Sequence, residues 1–263
     1  MKIREIEAWF DRVYPKERGA KWDNDGLLVC PDRDRNVRRV LTCLDLTFPA
    51  IEKAIQTEAE LIISHHPLIF HPLNAVNENT IVGQKILLLL QHRLSLLSFH
   101  TRCDGAERGL NRELASLLGV RMEAGVILDP EEPYIGGIGR FYSRMTPEEA
   151  ALFVSKTLDA PVRLFSAGTS IERVGICCGS GKDLIEPALS LGADAFLTGD
   201  VSYHAAQSAV EKGMTVIDFG HYASEKMVSD LFAEELARLS PEIEVLSFRE
   251  EGLGGEIVDG RGF

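Results

Sequence analysis

RVLTCLDLTFPAIEKAIQTEAELIISHH, residues 39–66, decides the fold, because the chain repeats its pattern at residues 173–200 as RVGICCGSGKDLIEPALSLGADAFLTGD. The two stretches align at a constant offset with no gap. Arg39 meets Arg173, Val40 meets Val174, and Cys43 meets Cys177. Ile51-Glu52 meets Ile185-Glu186, and Ala54 and Ala59 meet Ala188 and Ala193. Apolar Leu61-Ile62-Ile63 falls on Ala195-Phe196-Leu197, Ser64 on Thr198, and His66 on Asp200. Each copy reads as strand, helix, strand, polar loop, helix, strand, and then His-x-x-x-acid. Any two β-α-β units share apolar spacing, so chance is a fair rival for the strand positions alone. It is a weaker rival for the shared order and the shared ending, and an internal duplication is the reading adopted.

Strands alternating with helices predict an α/β fold with largely parallel sheets. The duplication predicts two similar α/β lobes about an approximate two-fold, with a metal site in the cleft between them. Open α/β sheets take ligands beyond the carboxyl ends of their strands. The expected cut puts one lobe at 1–130 and the other at 131–263, with no inserted middle domain. Helices are expected at about 2–14, 48–58, 79–92, 105–118 and 147–158. Strands are expected at Val40–Leu44, Leu61–Ser64, Leu94–Phe99, Ile138–Tyr142 and Val162–Phe165. The second copy is expected to run from 171 to about 247. Thr146-Pro147-Glu148-Glu149 is a helix start, with a cap and a proline at the first position.

Two pairs carry the chemistry: His100 with Asp104, and His221 with Glu225. Each sets an imidazole four residues before a carboxylate, after the apolar runs 94–99 and 214–219. That spacing reads as a strand ending in a ligand and a helical turn presenting a second one on the same face. A third cluster, His65-His66, ends the run Glu60-Leu-Ile-Ile-Ser64. Alone, His-x-x-x-Asp is more readily a helix cap with a nearby ion pair. Two copies and a double histidine shift the reading to metal. Because successive strand side chains point to opposite faces, the backbone must bend at His65-His66 or the two rings must serve different ions. Pro67 stiffens that loop. Single histidines at 71, 92 and 204 take the ordinary surface or core reading.

Six groups, His65, His66, His100, Asp104, His221 and Glu225, exceed the roughly four ligands of one closed structural zinc. They suit two divalent ions, with Glu225, the longer carboxylate, as the bridge. Paired ions about 3.5–4 Å apart activate a shared water and stabilise a leaving oxygen. Histidine-rich N/O ligation suits zinc, iron, manganese, cobalt or nickel alike.

Charge and cysteine content narrow the function classes. A net charge of -12 argues against binding nucleic acid through phosphate contacts. The 5 cysteines have no metal-finger spacing, and their odd count suits a reducing cytosol better than a disulfide framework. The opening residues alternate charged and apolar side chains with no uninterrupted apolar region, so no targeting signal is expected. The run Ile86–Leu90 is too short to span a bilayer. The expectation is a cytoplasmic protein without membrane partners.

Two glycine-rich stretches fail as nucleotide motifs. Gly175 to Asp183 lacks P-loop glycine spacing and has Asp183 where Ser or Thr is required. A tight turn and an anion cradle remain equally open for it. Gly136-Gly-Ile-Gly-Arg140 precedes a strand, so the dinucleotide fingerprint fails, and a turn is favoured.

The motifs together resemble the Nif-three-like dinuclear metal centre proteins, many of which carry the name GTP cyclohydrolase 1 type 2 homologue. The resemblance rests on Ser64-His-His-Pro67, His100-Thr-Arg-Cys-Asp104, Gly109-Leu-Asn111, Gly137-Ile-Gly-Arg140, Thr198-Gly-Asp-Val-Ser-Tyr-His204, Asp218-Phe-Gly-His-Tyr-Ala-Ser-Glu225 and Trp22-Asp-Asn-Asp-Gly26. It covers nearly the whole chain. It implies two divalent ions between two α/β lobes and a homo-oligomer in the form of a ring-shaped hexamer. By motif match His65, His66, Asp104, His221 and Glu225 would be the ligands, with His100 at or near the metals. Cys103 stands where such proteins often have an aliphatic residue, and the Gly179–Asp183 loop is more charged than the resemblance leads one to expect.

The expected function is a metal-dependent hydrolase acting on a nucleotide or phosphoester, with His204 and Tyr203 as weak candidates for the proton carrier. The rival is a non-catalytic metal-binding or regulatory scaffold. A catalytic site leaves coordination positions to water, whereas a structural one is closed.

Overall fold

A computed structural model describes residues 1–250 of the chain. In chain order its strands are β1 (Gly26–Val29), β2 (Arg39–Cys43), β3 (Leu61–Ser64), β4 (Ser95–Ser98), β5 (Val120–Met122), β6 (Gly137–Met145), β7 (Arg163–Phe165), β8 (Ile171–Ile176), β9 (Ala195–Thr198), β10 (Thr215–Asp218) and β11 (Glu244–Ser247). Its α-helices are α1 (Ile3–Val13), α2 (Phe48–Gln56), α3 (Ile81–Gln91), α4 (Thr101–Asp104), α5 (Leu110–Leu117), α6 (Pro147–Leu158), α7 (Ile185–Ser190), α8 (Tyr203–Glu211), α9 (His221–Glu225) and α10 (Val228–Leu239). Among the described residues, one compact unit comprises Met1–Gly109 with Lys226–Glu250, and the other is Leu110–Glu225.

The first unit is built on a sheet ordered β1-β4-β3-β2-β11. β4, β3, β2 and β11 run parallel, and β1 is antiparallel at the edge. All four residues of β3 are buried, as expected of a central parallel strand covered on both faces. α2 starts where the Thr47 side chain accepts from the Ala50 amide, with proline in the first turn, and it buries Ala50, Ile51 and Ala54. α1 buries Ile3, Ile6 and Phe10, one stripe at helical spacing. Phe10 and Tyr14 meet Phe99 and Phe232, with ring centroids 4.9–6.0 Å apart. This aromatic cluster therefore joins the start of the chain to α10.

The second unit carries the order β5-β6-β8-β9-β10-β7, with β8, β9 and β10 parallel and the flanking strands antiparallel. Its first long helix, α6, opens with the expected capping box between Thr146 and Glu149 and ends at Asp159, which is left-handed at φ 47°.

The repeat seen in the sequence recurs in the hydrogen bonding of each unit. The Arg38 and Arg39 amides donate to the Glu60 carboxylate, and those of Glu172 and Arg173 donate to Asp194. The Arg39 guanidinium reaches the Thr57 carbonyl, and that of Arg173 reaches the Leu191 carbonyl. After the helix the Ala59 amide returns to Ala54 at 2.9 Å, and Ala193 to Ala188 at 3.0 Å. Glu58 and Arg93 take left-handed backbone in the first copy where Gly192 and Gly213 take it in the second. Leu41 lies beside Ile62 in the first sheet, and Gly175 beside Phe196 in the second. The bulk of the pair has moved from one strand to its neighbour.

Three expectations need correction. The second copy does not extend to 247: α10 packs on β2 and β11, and β11 pairs with β2 in the first sheet. Without β11 the outer edge of β2 would present unpaired backbone groups. In the second sheet the matching edge of β8 is taken by β6. The cut between lobes consequently differs from 1–130 and 131–263: residues 110–130 join the second unit and 226–250 return to the first. The remainder of the expected second lobe, 251–263, lies outside the described residues. Finally, the helix expected at 105–118 starts late: α5 covers Leu110–Leu117, and residues 105–109 form turns after the short α4. Gly109 sits so close to the turn that an added Cβ would lie 1.7 Å from the Cys103 carbonyl oxygen. No helix among the described residues is long and apolar enough to cross a membrane.

Candidate metal centre

At the end of β3 the chain bends instead of continuing its alternation. The His65 amide donates to Cys43 and Leu44 carbonyls, both at 3.1 Å, and the His66 amide donates to Leu44 at 3.0 Å. Ser64 Oγ donates to the His66 carbonyl at 2.9 Å and lies 2.8 Å from Ser98 Oγ. The bend brings the His65 and His66 rings to a 5.0 Å centroid separation. His100, leaving β4 at the cap of α4, sets its ring 5.2 Å from His65 and 5.5 Å from His66. One ring nitrogen from each of the three lies within 4.8 Å of the others. A helical turn later, Asp104 places Oδ1 3.5 Å from His65 Nε2. The first unit thus gathers His65, His66, His100 and Asp104.

The second unit carries the other pair. β10 ends at Asp218, and Gly220 at φ 73° turns the chain into α9. There His221 Nε2 lies 3.0 Å from Glu225 Oε2, and Glu225 is buried. Gly179 makes room for this carboxylate. A Cβ at 179 would lie 2.3 Å from Glu225 Oε1 and 3.2 Å from His221 Nε2, and φ there is +58°. The loop's amides are also engaged: Cys178 donates to Asn111 Oδ1, Gly179 to Ser224 Oγ and Gly181 to Thr198 Oγ1, at 2.8–3.0 Å. Those three donors are committed to side chains, which favours the turn over the anion cradle.

Every one of these four histidines has its Nδ1 engaged. His65 Nδ1 lies 2.8 Å from the Phe99 carbonyl, His66 Nδ1 2.8 Å from Asp45, His100 Nδ1 2.9 Å from Asp23, and His221 Nδ1 2.8 Å from Asp200. An acceptor at Nδ1 favours the proton there, so Nε2 is the nitrogen of each ring that would face a Lewis acid. Asp23 also accepts from the Thr101 amide and hydroxyl at 3.0 and 2.6 Å. The buried Arg102 guanidinium bridges Asp25 and Asp11 at 2.9 and 2.7 Å and lies over the Phe99 ring, anchoring this wall to α1.

Electrostatics follow from the same contacts. Burial alone would raise the Asp23 carboxyl, but the hydrogen bond and charge of His100, with the Thr101 donors, hold it at about 2. Burial alone would lower His100, but the bond to Asp23 and the charges of Asp104 and Asp23 raise it. Burial likewise raises Asp25 against the pull of Arg102. Imidazoles and carboxylates held this way are a donor set suited to divalent transition metals.

Sequence reasoning missed Asp45 and gave Asp23 no role. Asp45 falls opposite Gly179 in the repeat, so the alignment hid it. Asp200, which the alignment set against His66, supports His221 instead. Tyr203 and His204 stand exposed on the first turn of α8, their rings 5.3 Å apart.

Fold and site together define a two-sheet α/β protein with histidine and carboxylate groups clustered at the ends of its parallel strands. The chain belongs to the Duf34/NIF3 (NGG1p interacting factor 3) family, whose profile matches residues 1–251. It is 32% identical over 257 residues to a Clostridium perfringens protein named GTP cyclohydrolase 1 type 2 homolog, covering 95% of this chain and 97% of that one. A Drosophila melanogaster NIF3-like protein 1 is 30% identical, over 90% of this chain and 82% of the relative. The crystal structure of a Staphylococcus aureus hypothetical protein superposes with a TM-score of 0.86 at 27% identity, covering 98% of this chain and 99% of the other.

Proposed function

We propose that His65, His66, His100, Asp104, His221 and Glu225 hold two divalent ions, and that the protein is a metal-dependent hydrolase acting on a nucleotide or phosphoester. The observation that carries this reading is that Nδ1 of all four histidines meets an oxygen acceptor, so that Nε2 would be the ligand atom on each, beside the carboxylates of Asp104 and Glu225. Glu225 is the shared ligand: one oxygen faces His221, and the other has the space that Gly179 leaves. The ions are zinc, iron, manganese, cobalt or nickel, since the donor set suits each. Bound there, they supply Lewis acidity and a water acidified towards neutral pH.

The protein's own side chains do the rest. Asp23, Asp45 and Asp200 fix the imidazoles, so little reorganisation is needed when charge develops on substrate. His204, beside Tyr203, is the candidate to carry a proton, and its exposure leaves it able to exchange with solvent. The name shared by relatives, GTP cyclohydrolase 1 type 2 homolog, favours a nucleotide substrate. A cytoplasmic ring-shaped hexamer completes the proposal. Exposed Ile81, Leu87 and Leu90 on α3 offer apolar surface for such an assembly, and light scattering should give six times the 29.1 kDa chain mass.

The test is hydrolysis of GTP and of simple phosphoesters before and after chelation. Turnover that disappears with the metal and returns on reloading supports the hydrolase. Full metal occupancy with no turnover of either class would leave the scaffold reading in its place.

A further inference from the structure

Beside the histidine cluster of the first unit stand two exposed aromatic rings. Trp22 is 57% exposed and Phe70 41%, and their centroids are 5.9 Å apart at 64°. Each ring centroid also lies 6.3 Å from that of His100. The two rings come from different loops, which are tied together where the Asn24 amide donates to the Ile69 carbonyl. Trp22 precedes Asp23, the carboxylate that fixes His100, so the indole is anchored at the same point as the imidazole. Exposed tryptophan and phenylalanine forgo the burial that usually keeps such side chains inside. Here they form an edge-to-face corner, one ring placed to stack on a flat base and the other to meet its edge, beside a metal-ligating type of side chain, and a hydrogen bond ties their loops.

We propose that Trp22 and Phe70 form a stacking platform for a flat heteroaromatic ring of the substrate, such as a purine. This inference rests on the reading of the histidine cluster as part of the reaction centre, and it chooses between the two substrate classes left open there. Aromatic faces hold any nucleobase through its π-surface and gain little from an aliphatic phosphoester. His100 then lies at the ring side of the substrate, within contact distance of the platform.

GMP and ribose 5-phosphate differ only by the base, so they separate stacking from phosphate binding. The chain has 2 tryptophans, so Trp9→Phe in the full-length, metal-loaded protein leaves Trp22 as the sole indole reporter. GMP should quench its fluorescence saturably, and ribose 5-phosphate should not. By calorimetry, Trp22→Ala and Phe70→Ala should each weaken GMP binding about tenfold or more. Trp22→Phe, which keeps a flat ring and controls for folding, should retain most of it. Equal binding of the two probes, or GMP affinity unchanged in Trp22→Ala, would overturn the platform. So would a drop in assembly mass for Trp22→Ala, which would make the pair a subunit contact. Binding is read without turnover, so the outcomes are separable. GMP stacking in a protein without metal sinks only the hydrolase, and metal-dependent phosphoester hydrolysis without GMP binding sinks only the platform.

Discussion

Asp23 does two jobs at once. It accepts the His100 Nδ1 hydrogen and the Thr101 amide at the start of α4. Losing such a partner to a ligand histidine typically costs ~10–100-fold in metal affinity. Asp23→Asn should show a loss of that size in a competition titration with a chelating dye. The metal-free protein should show the pair in its pH dependence. The raised His100 contributes stability that is fully present below its ordinary value of 6.5 and is lost as pH rises through its folded pKa. The depressed Asp23 contributes stability above its ordinary value of 3.8, lost as pH falls towards about 2. Thermal scans of stripped protein should therefore show the gap between wild type and Asp23→Asn narrowing as pH rises past His100; a gap independent of pH would contradict the ion pair. Gly179→Ala is the companion test. Its Cβ would collide with Glu225 Oε1 at 2.3 Å, in a left-handed backbone that costs an L-residue ~1–2 kcal/mol. It should lower both the melting temperature and the metal content.

Several strands and helices were legible because they obey local rules. Leu61–Ser64 and Pro147–Leu158 fall where their patterns put them: a short apolar run in one case, a capping box with a leading proline in the other. At His65-His66 the sequence left a bend and rings serving different ions both open, and the backbone bends there. The late start of α5, at Leu110 and not at 105, was not legible. It depends on Gly109 approaching the Cys103 carbonyl, a contact no periodicity encodes. The roles of Asp45 and Asp23 were hidden for a similar reason, because each acts across 21 and 77 residues of sequence respectively. The repeat itself offers a test at this scale. Gly175→Leu alone drives a side chain into Phe196, whose ring would be 2.3 Å from the new Cβ, and overpacking of this kind typically costs ~1–3 kcal/mol. Gly175→Leu with Phe196→Ile rebuilds the Leu41–Ile62 pair of the first sheet. The double variant should recover most of the loss in urea unfolding. Purely additive losses would mean that the two copies are not structurally equivalent there.

At the level of the chain, the path of the backbone matters more than the repeat. The first sheet is completed only when β11 returns to β2, and its aromatic core only when Phe232 meets Phe10 and Tyr14. The repeat could not reveal this, because the helix and strand after each His-x-x-x-acid end join the other unit, α5 and β5 the second and α10 and β11 the first. Residues 1–109 expressed alone should therefore show weak, non-cooperative unfolding, and adding 226–250 should restore a cooperative transition. Residues 110–225, which hold all strands of their own sheet, should unfold cooperatively without help. The proposed metal centre draws on His65, His66, His100, Asp104, His221 and Glu225. Elemental analysis of the purified chain tests it most directly, comparing wild type with His66→Ala and Glu225→Ala after identical metal loading. Wild type should carry two divalent ions per chain, and both variants should lose bound metal. An unloaded wild type, or full occupancy in either variant, would contradict it.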